Sequence, residues 1–260
     1  MQSIMHYSFE RNYITEYNMA MSTKIIAHRG NTNDFTENSI EAFESAIALG
    51  ADGIEFDVHM GSDGCLPVYH DYYLNTKNAK KELIFEKDAK YLHSLNISFF
   101  PDVLKLFNNN FMEIELKTPK IEFIKLIAEV VGKNKNSENI EFTSPYPFVL
   151  QKLKESIPSA SIGMFVNNKE NWMDEELFDK LLIENGALGN VTYMHLNEST
   201  ITKKRVDLLH NNGFLVHAAN CNRKEVLQLA FSLGVDKLTT DKLQFALNER
   251  LKYERAGNSK

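Results

Sequence analysis

From Lys24 onward, short runs rich in β-branched and aromatic residues alternate with longer stretches whose apolar positions recur every third or fourth residue. These are the periodicities of strand and of amphipathic helix. Eight strands are expected: KIIA (24–27), GIEFDV (53–58), FMEIEL (111–116), NIEFT (139–143), SIGMF (161–165), VTYMHL (191–196), FLVHA (214–218) and DKLTT (236–240). Between them lie helical patterns such as SIEAFESAIALG, IEFIKLIAEVVG, PFVLQKLKESI, DEELFDKLLIENG, TKKRVDLLHNNG and RKEVLQLAFSLG, with KLQFALNERLKY closing the series. Gly50, Gly132, Gly186, Gly213 and Gly234 stand where these patterns stop, and a left-handed helix end favours glycine. Eight strands with eight helical segments in one series predict an α/β protein with a (β/α)8 TIM barrel. A doubly wound sheet usually has fewer strands and one phosphate-binding glycine loop. No GxGxxG or GxxxxGK[ST] follows the first strand, so nucleotide binding loses support.

The series is interrupted once, between the second and third strands, where residues from about 60 to 101 form an insertion. Its Asp-Gly at 63–64, in GSDGCLPVYHD, predicts a hairpin. A barrel places such a βα connection at the C-terminal face, where binding and catalytic groups gather. Residues 1–22, mixed polar and aromatic, are expected to be an N-terminal extension or a poorly ordered arm. Residues 23–260 are expected to form one barrel domain.

Composition narrows the function. A formal net charge of -6 over 260 residues argues against a broad basic surface for nucleic acid. Two cysteines, Cys65 and Cys221, make no disulfide framework and read as buried or half-buried thiols. No run approaches the roughly 20 apolar residues that span a bilayer. No transmembrane segment is therefore expected, and a cytoplasmic location follows by default.

Four polar clusters could carry chemistry. AHRG (27–30) follows the first strand and offers an imidazole, a guanidinium fork suited to phosphate, and a glycine that lets the chain turn. In GIEFDV, Glu55 and Asp57 are two residues apart on one strand, so both face the same side, about 6.5 Å apart at Cα. Two such carboxylates repel unless a proton or a cation intervenes. EIELK (113–117) repeats that spacing with Glu115 and Lys117, and Glu115 could complete an oxygen-only site that prefers Mg²⁺, Ca²⁺ or Mn²⁺ to zinc. VYHD (68–71) brings His70, a second imidazole, to the insertion. Acid–base cleavage of a diester needs two proton-transfer groups, and His28 and His70 fit those roles. Singly, each cluster has a plain structural alternative: a surface arginine, a hydrogen-bonded histidine, a polar strand face or an internal Glu–Lys pair.

Taken in order, HRG (28–30), ENS (37–39), GADGIEFDV (50–58), DGCLPVYHD (63–71), EIELK (113–117) and TTD (239–241) resemble the motifs of the glycerophosphodiester phosphodiesterase family. The resemblance covers residues 24 to about 250. It implies one divalent cation, Mg²⁺ or Ca²⁺, and hydrolysis of small-molecule glycerophosphodiesters to sn-glycerol 3-phosphate and an alcohol. It assigns catalysis to His28 and His70, metal ligation to Glu55, Asp57 and Glu115, and phosphate contacts to Arg29 and Lys117. Glu37 and Asn38 would support the first loop.

The chain departs from the family pattern in places. Thr36 replaces a proline, Ser39 a threonine, and the seventh strand ends in HAAN (217–220), where relatives often carry a Trp and an Asn. His217 and Asn220 could take over that side of the substrate pocket, with Glu37, or His217 could be a structural strand-end histidine. The attacking oxygen could come from water or from the substrate's glycerol 2-hydroxyl. Two alternatives accompany the hydrolase: a lysophospholipase D-like enzyme with an apolar rim that includes Tyr72, Phe99 and Phe100, and an inert barrel acting as a binding protein. His59, His195 and Trp172 fall in no motif.

Overall fold

The computed structural model describes residues 23–75, 81–132 and 137–257; the N-terminal extension proposed for residues 1–22 lies outside the described residues. Eight parallel strands, β1 (Lys24–His28), β2 (Gly53–Val58), β3 (Phe111–Leu116), β4 (Ile140–Thr143), β5 (Ser161–Phe165), β6 (Tyr193–Leu196), β7 (Leu215–Ala218) and β8 (Lys237–Thr240), close into a barrel in sequential order. All eight expected strands are present. Helices follow the strands, and four of them open on a side-chain cap from Ser39, Asp88, Asp174 or Thr202. Gly50 and Gly234 end their helices in the left-handed conformation, as the pattern suggests.

Gly186 differs. It lies inside the helix Glu175–Leu188, where an added Cβ would come within 2.3 Å of Met194 Cε and 2.8 Å of the Phe214 ring. The glycine is there for close packing against β6 and the start of β7, and the helix runs on to Leu188. A further helix, Phe100–Leu106, completes the connection between β2 and β3. Pro101 stands in its first turn, where a missing backbone N–H costs nothing.

Alternation along each strand divides the molecule into two interiors. Outward residues such as Ile54, Phe56, Ile114, Phe142, Met194, Val216 and Leu238 join the helices in one continuous apolar core. Inward residues are polar to an unusual degree: Glu55, Asp57, Glu113, Glu141, Thr143, His195, His217, Lys237 and Thr239 are all buried. TIM barrels ordinarily fill this space with Val, Ile and Leu.

The insertion starts as the expected hairpin. Val58 bridges Val68 antiparallel, and His59 N, Gly61 N and Tyr69 N donate to Pro67 O, Cys65 O and Asp57 O. A two-stranded ribbon (Tyr73–Leu74 with Glu82–Leu83) and a short helix (Ala89–Ser94) follow, around a small core of Leu74, Ile84, Leu92 and Phe99. No helix among the described residues is long and apolar enough to cross a membrane.

Candidate active site at the barrel mouth

Strand register assembles the mouth. His28 pairs with Glu55, and Asp57 pairs with Glu115 on the far side of β2, so an imidazole and three carboxylates meet on adjacent strands. The carboxylates of Glu55, Asp57 and Glu115 offer oxygen atoms that lie within 4.8 Å of one another. Glu55 and Asp57 are buried, at 4% and 1% exposure. Burial, reinforced by the charges of Asp57, Glu113 and Glu115, pushes the Glu55 carboxyl well above the usual carboxylate range. Burial acts the same way on Asp57. There Lys117, a hydrogen bond from Asn38 and the charge of Arg29 outweigh it and hold the group below its ordinary value.

The turn after β1 explains how Arg29 reaches this cluster. Arg29 and Gly30 both adopt positive φ, 56° and 87°. A Cβ on Gly30 would sit 2.7 Å from the Ala42 backbone. A left-handed arginine is uncommon and needs compensation. Here the backbone N–H of Arg29 donates to Glu55 O and to Glu55 Oε2, at 2.9 and 3.1 Å. Its guanidinium donates to Glu37 Oε2 at 3.0 Å and lies 3.4 Å from Asp57 Oδ2. Asn38 donates to Asp57 Oδ2 at 3.0 Å and, through its backbone N–H, to Arg29 O. Glu37 and Asn38 thus brace the loop, Glu37 through the arginine and Asn38 through the aspartate.

Lys117, 7% exposed, lies 2.6 Å from Glu115 Oε1 and 3.0 Å from Asp57 Oδ1. Burial lowers its basicity, but the two carboxylates more than reverse that. A hard, oxygen-liganded divalent cation fits the three carboxylates: their oxygens converge within 4.8 Å, and among the described residues Glu55 has no lysine or arginine side chain within ion-pair distance.

The two histidines are held differently. Nδ1 of His28 lies 2.6 Å from Asp241 Oδ1, and Nε2 lies 3.8 Å from Glu55 Oε2. Asp241 is fixed by Asn222, which donates to Oδ2 and accepts from the Asp241 backbone N–H at 2.7 Å. Despite partial burial, its contact with His28 and the Asn222 hydrogen bond hold Asp241 below the usual carboxylate range. His70 extends from the hairpin with Nδ1 2.7 Å from Asp71 Oδ1, and its charge is among those that lower Asp57. His59 lies beneath it, with Nε2 3.3 Å from His70 O, and burial pulls its pKa down to about 4. Tyr72 donates to Lys117 O at 3.2 Å and shares a 3.1 Å hydroxyl contact with Tyr146; burial and that contact push it up to about 12.

Several expectations for the substrate side do not hold. His217 is fully buried inside the barrel, with Nδ1 3.2 Å from Glu113 Oε2, because its strand position points it inward below the mouth. Burial drops its pKa to about 3. Asn220 is exposed with φ 55°; its backbone N–H donates to Thr239 Oγ1 and its carbonyl accepts from the Asn222 N–H. The asparagine that joins the site is Asn222, two residues on. Phe99 packs in the insertion's small core and Phe100 in the main core against Phe56, which leaves only Tyr72 of the suggested apolar rim exposed. Trp172 is exposed and apart from these contacts. In the sequence, nothing but its place after β7 marks Asn222.

Comparison with known proteins agrees with this geometry. The profile of the glycerophosphoryl diester phosphodiesterase family matches residues 28–244. A glycerophosphodiester phosphodiesterase of Caldanaerobacter subterraneus is 30% identical over 88% of this chain and 98% of its own length. Among solved structures, the glycerophosphodiester phosphodiesterase of Thermotoga maritima superposes with a TM-score of 0.71 at 23% identity, covering 87% of this chain and 98% of that one. An Oleispira antarctica phosphodiesterase in complex with the product sn-glycerol-3-phosphate superposes with a TM-score of 0.73 at 19% identity, covering 88% and 96%.

Proposed function

Since the chain belongs to the glycerophosphoryl diester phosphodiesterase family, we propose that its barrel mouth hydrolyses glycerophosphodiesters to sn-glycerol 3-phosphate and an alcohol, using one Mg²⁺ or Ca²⁺ ion. The observation that carries this reading is the convergence of Glu55, Asp57 and Glu115 within 4.8 Å, flanked by Arg29 and Lys117. Glu55, Asp57 and Glu115 would hold a hard divalent cation, which would supply charge neutralisation to the phosphate. Arg29 and Lys117 orient the remaining phosphate oxygens, Arg29 through a planar fork and Lys117 as a point charge. Both already lie against Asp57, so their positions are fixed before substrate arrives and little reorganisation is needed.

His28 acts as proton acceptor. An ionised Asp241 can only accept a hydrogen bond, so Nδ1 carries the proton and Nε2 presents a lone pair. His70, held by Asp71 on the more exposed side of the mouth, returns a proton to the departing alkoxide. The test is a panel of glycerophosphocholine, glycerophosphoethanolamine, glycerophosphoglycerol and lysophosphatidylcholine, each with Mg²⁺, Ca²⁺ or EDTA. Cation-dependent release of sn-glycerol 3-phosphate is expected. Cleavage of lysophosphatidylcholine alone would move the substrate class, and no cleavage at all would favour a binding protein. Detection of cyclic glycerol phosphate by ³¹P NMR would identify the glycerol 2-hydroxyl as the attacker.

A further inference from the structure

One layer beneath the mouth, β3, β4, β6, β7 and β8 turn five ionisable side chains into the same closed space: Glu113, Glu141, His195, His217 and Lys237, each no more than 3% exposed. One donor atom from each of Glu113, Glu141, His195 and His217 lies within 4.8 Å of the others. His195 bridges the two carboxylates, with Nε2 2.6 Å from Glu141 Oε1 and Nδ1 3.5 Å from Glu113 Oε1. The two imidazole rings face each other at 4.1 Å. Two buried atoms that point into this space, Glu113 Oε2 and His217 Nδ1, have no hydrogen-bond partner although 3.2 Å separates them. Gly163 on β5 leaves the room. A Cβ there would lie 2.2 Å from Glu141 Oε1 and 2.3 Å from His195 Nε2.

Charge in this layer is not balanced by side chains alone. Two carboxylates face one ammonium, that of Lys237, which contacts Glu141 Oε2 and lies 3.7 Å from Glu113 Oε2. With neutral imidazoles, one negative charge is left over in a space closed to water, and an uncompensated buried charge is strongly unfavourable. Buried polar atoms without partners require an occupant, and mixed imidazole and carboxylate donors select a different metal from the oxygen-only set above.

We propose that this layer is a second cation site, in which Glu113, Glu141, His195 and His217 hold a zinc-class ion with no position open to substrate. Four-coordinate zinc with bonds of about 2.0–2.2 Å separates its donors by roughly 3.3 Å; one donor atom from each of the four residues lies within 4.8 Å of the others, so the donors draw together as the ion binds. A divalent ion balances the two carboxylates by itself, so Lys237 is then the neutral amine; in the absence of the ion its ammonium stands in as the cation. The site is structural: it ties together four strands that support the residues of the mouth, and its full burial means the ion enters as the chain folds and exchanges slowly.

The test uses the full chain produced in zinc-supplemented medium, dialysed folded against EDTA and assayed by elemental analysis. About one equivalent of zinc should survive, because a closed site outlasts an open one, and it should be lost in His195→Gln and in His217→Gln. Glu55→Gln, which alters the mouth, should leave retention unchanged, so failure here is distinct from failure of the hydrolase reading. Protein produced with cobalt should show the intense visible absorption of a four-coordinate, nitrogen-ligated ion, a readout that needs no variant. No metal retained after EDTA together with no such absorption overturns the proposal, as does equal retention in both folded histidine variants.

Discussion

His28 Nδ1 is 2.6 Å from Asp241 Oδ1, and this contact, between the first and last strands of the barrel, decides which nitrogen of the histidine faces the carboxylate cluster. With the proton held on Nδ1, Nε2 is free to accept one. Asp241→Asn replaces an acceptor-only carboxylate with an amide that can donate to Nδ1 and so stabilises the opposite tautomer. We expect kcat to fall by about 10²–10⁴-fold, the range spanned by loss of general acid–base catalysis, with KM and the circular dichroism spectrum little changed. Steady-state kinetics on the best substrate of the panel checks it.

Asn222 holds Asp241 by one side-chain donor and one accepted backbone N–H, and its Oδ1 also accepts from the Thr240 hydroxyl at 3.1 Å. Asn222→Ala should therefore lower kcat less than Asp241→Asn does. Adding it to Asp241→Asn should cost little more, because residues in one hydrogen-bond chain are not additive. Strictly additive losses in the double-mutant cycle would mean that Asn222 contributes by another route.

How much of this was legible in the sequence follows from which physical signals are local. Strand positions and the two-residue spacing of Glu55 with Asp57 and of Glu115 with Lys117 depend on neighbours along the chain, and they are found where the pattern puts them. The partners of His28 and the fate of His217 depend on barrel closure, which brings residue 241 beside residue 28 and decides which side of β7 faces inward. HAAN reads as a strand end with two polar groups, yet the inward turn of His217 and the outward exposure of Asn220 appear only once the neighbouring strands are placed. Gly186 shows the same division: a glycine near a helix end looks like a stop, while the contacts with Met194 and Phe214 that require it are long-range.

That contrast can be measured on two glycines. Gly132→Ala, at the end of the helix Ile121–Gly132, meets nothing within 4 Å among the described residues and should leave stability within about 0.5 kcal/mol. Gly186→Ala gains up to about 1 kcal/mol of helix propensity. It also drives a methyl group into Met194 and Phe214, and overpacking of this kind costs about 1–3 kcal/mol. A net loss is expected, read as a lower midpoint in urea for Gly186→Ala only.

The buried carboxylate Glu55 makes stability depend on pH when no cation is present. Its folded-state pKa is raised, first by burial and then by Asp57, Glu113 and Glu115. The folded protein therefore binds the proton more tightly than the unfolded chain does. Such a group contributes its stability in full below the unfolded carboxyl pKa, about 4.3, and loses it as pH rises toward the folded value. In EDTA, thermal stability should fall with rising pH over that interval more steeply in the native chain than in Glu55→Gln, whose amide does not ionise. Excess Mg²⁺ or Ca²⁺ should flatten the native curve by neutralising the carboxylate, and it should stabilise Glu55→Gln less. Calorimetric scans across pH, with and without the cation, decide it. Parallel curves for the native chain and Glu55→Gln in EDTA would show that Glu55 is not the group under strain at the mouth.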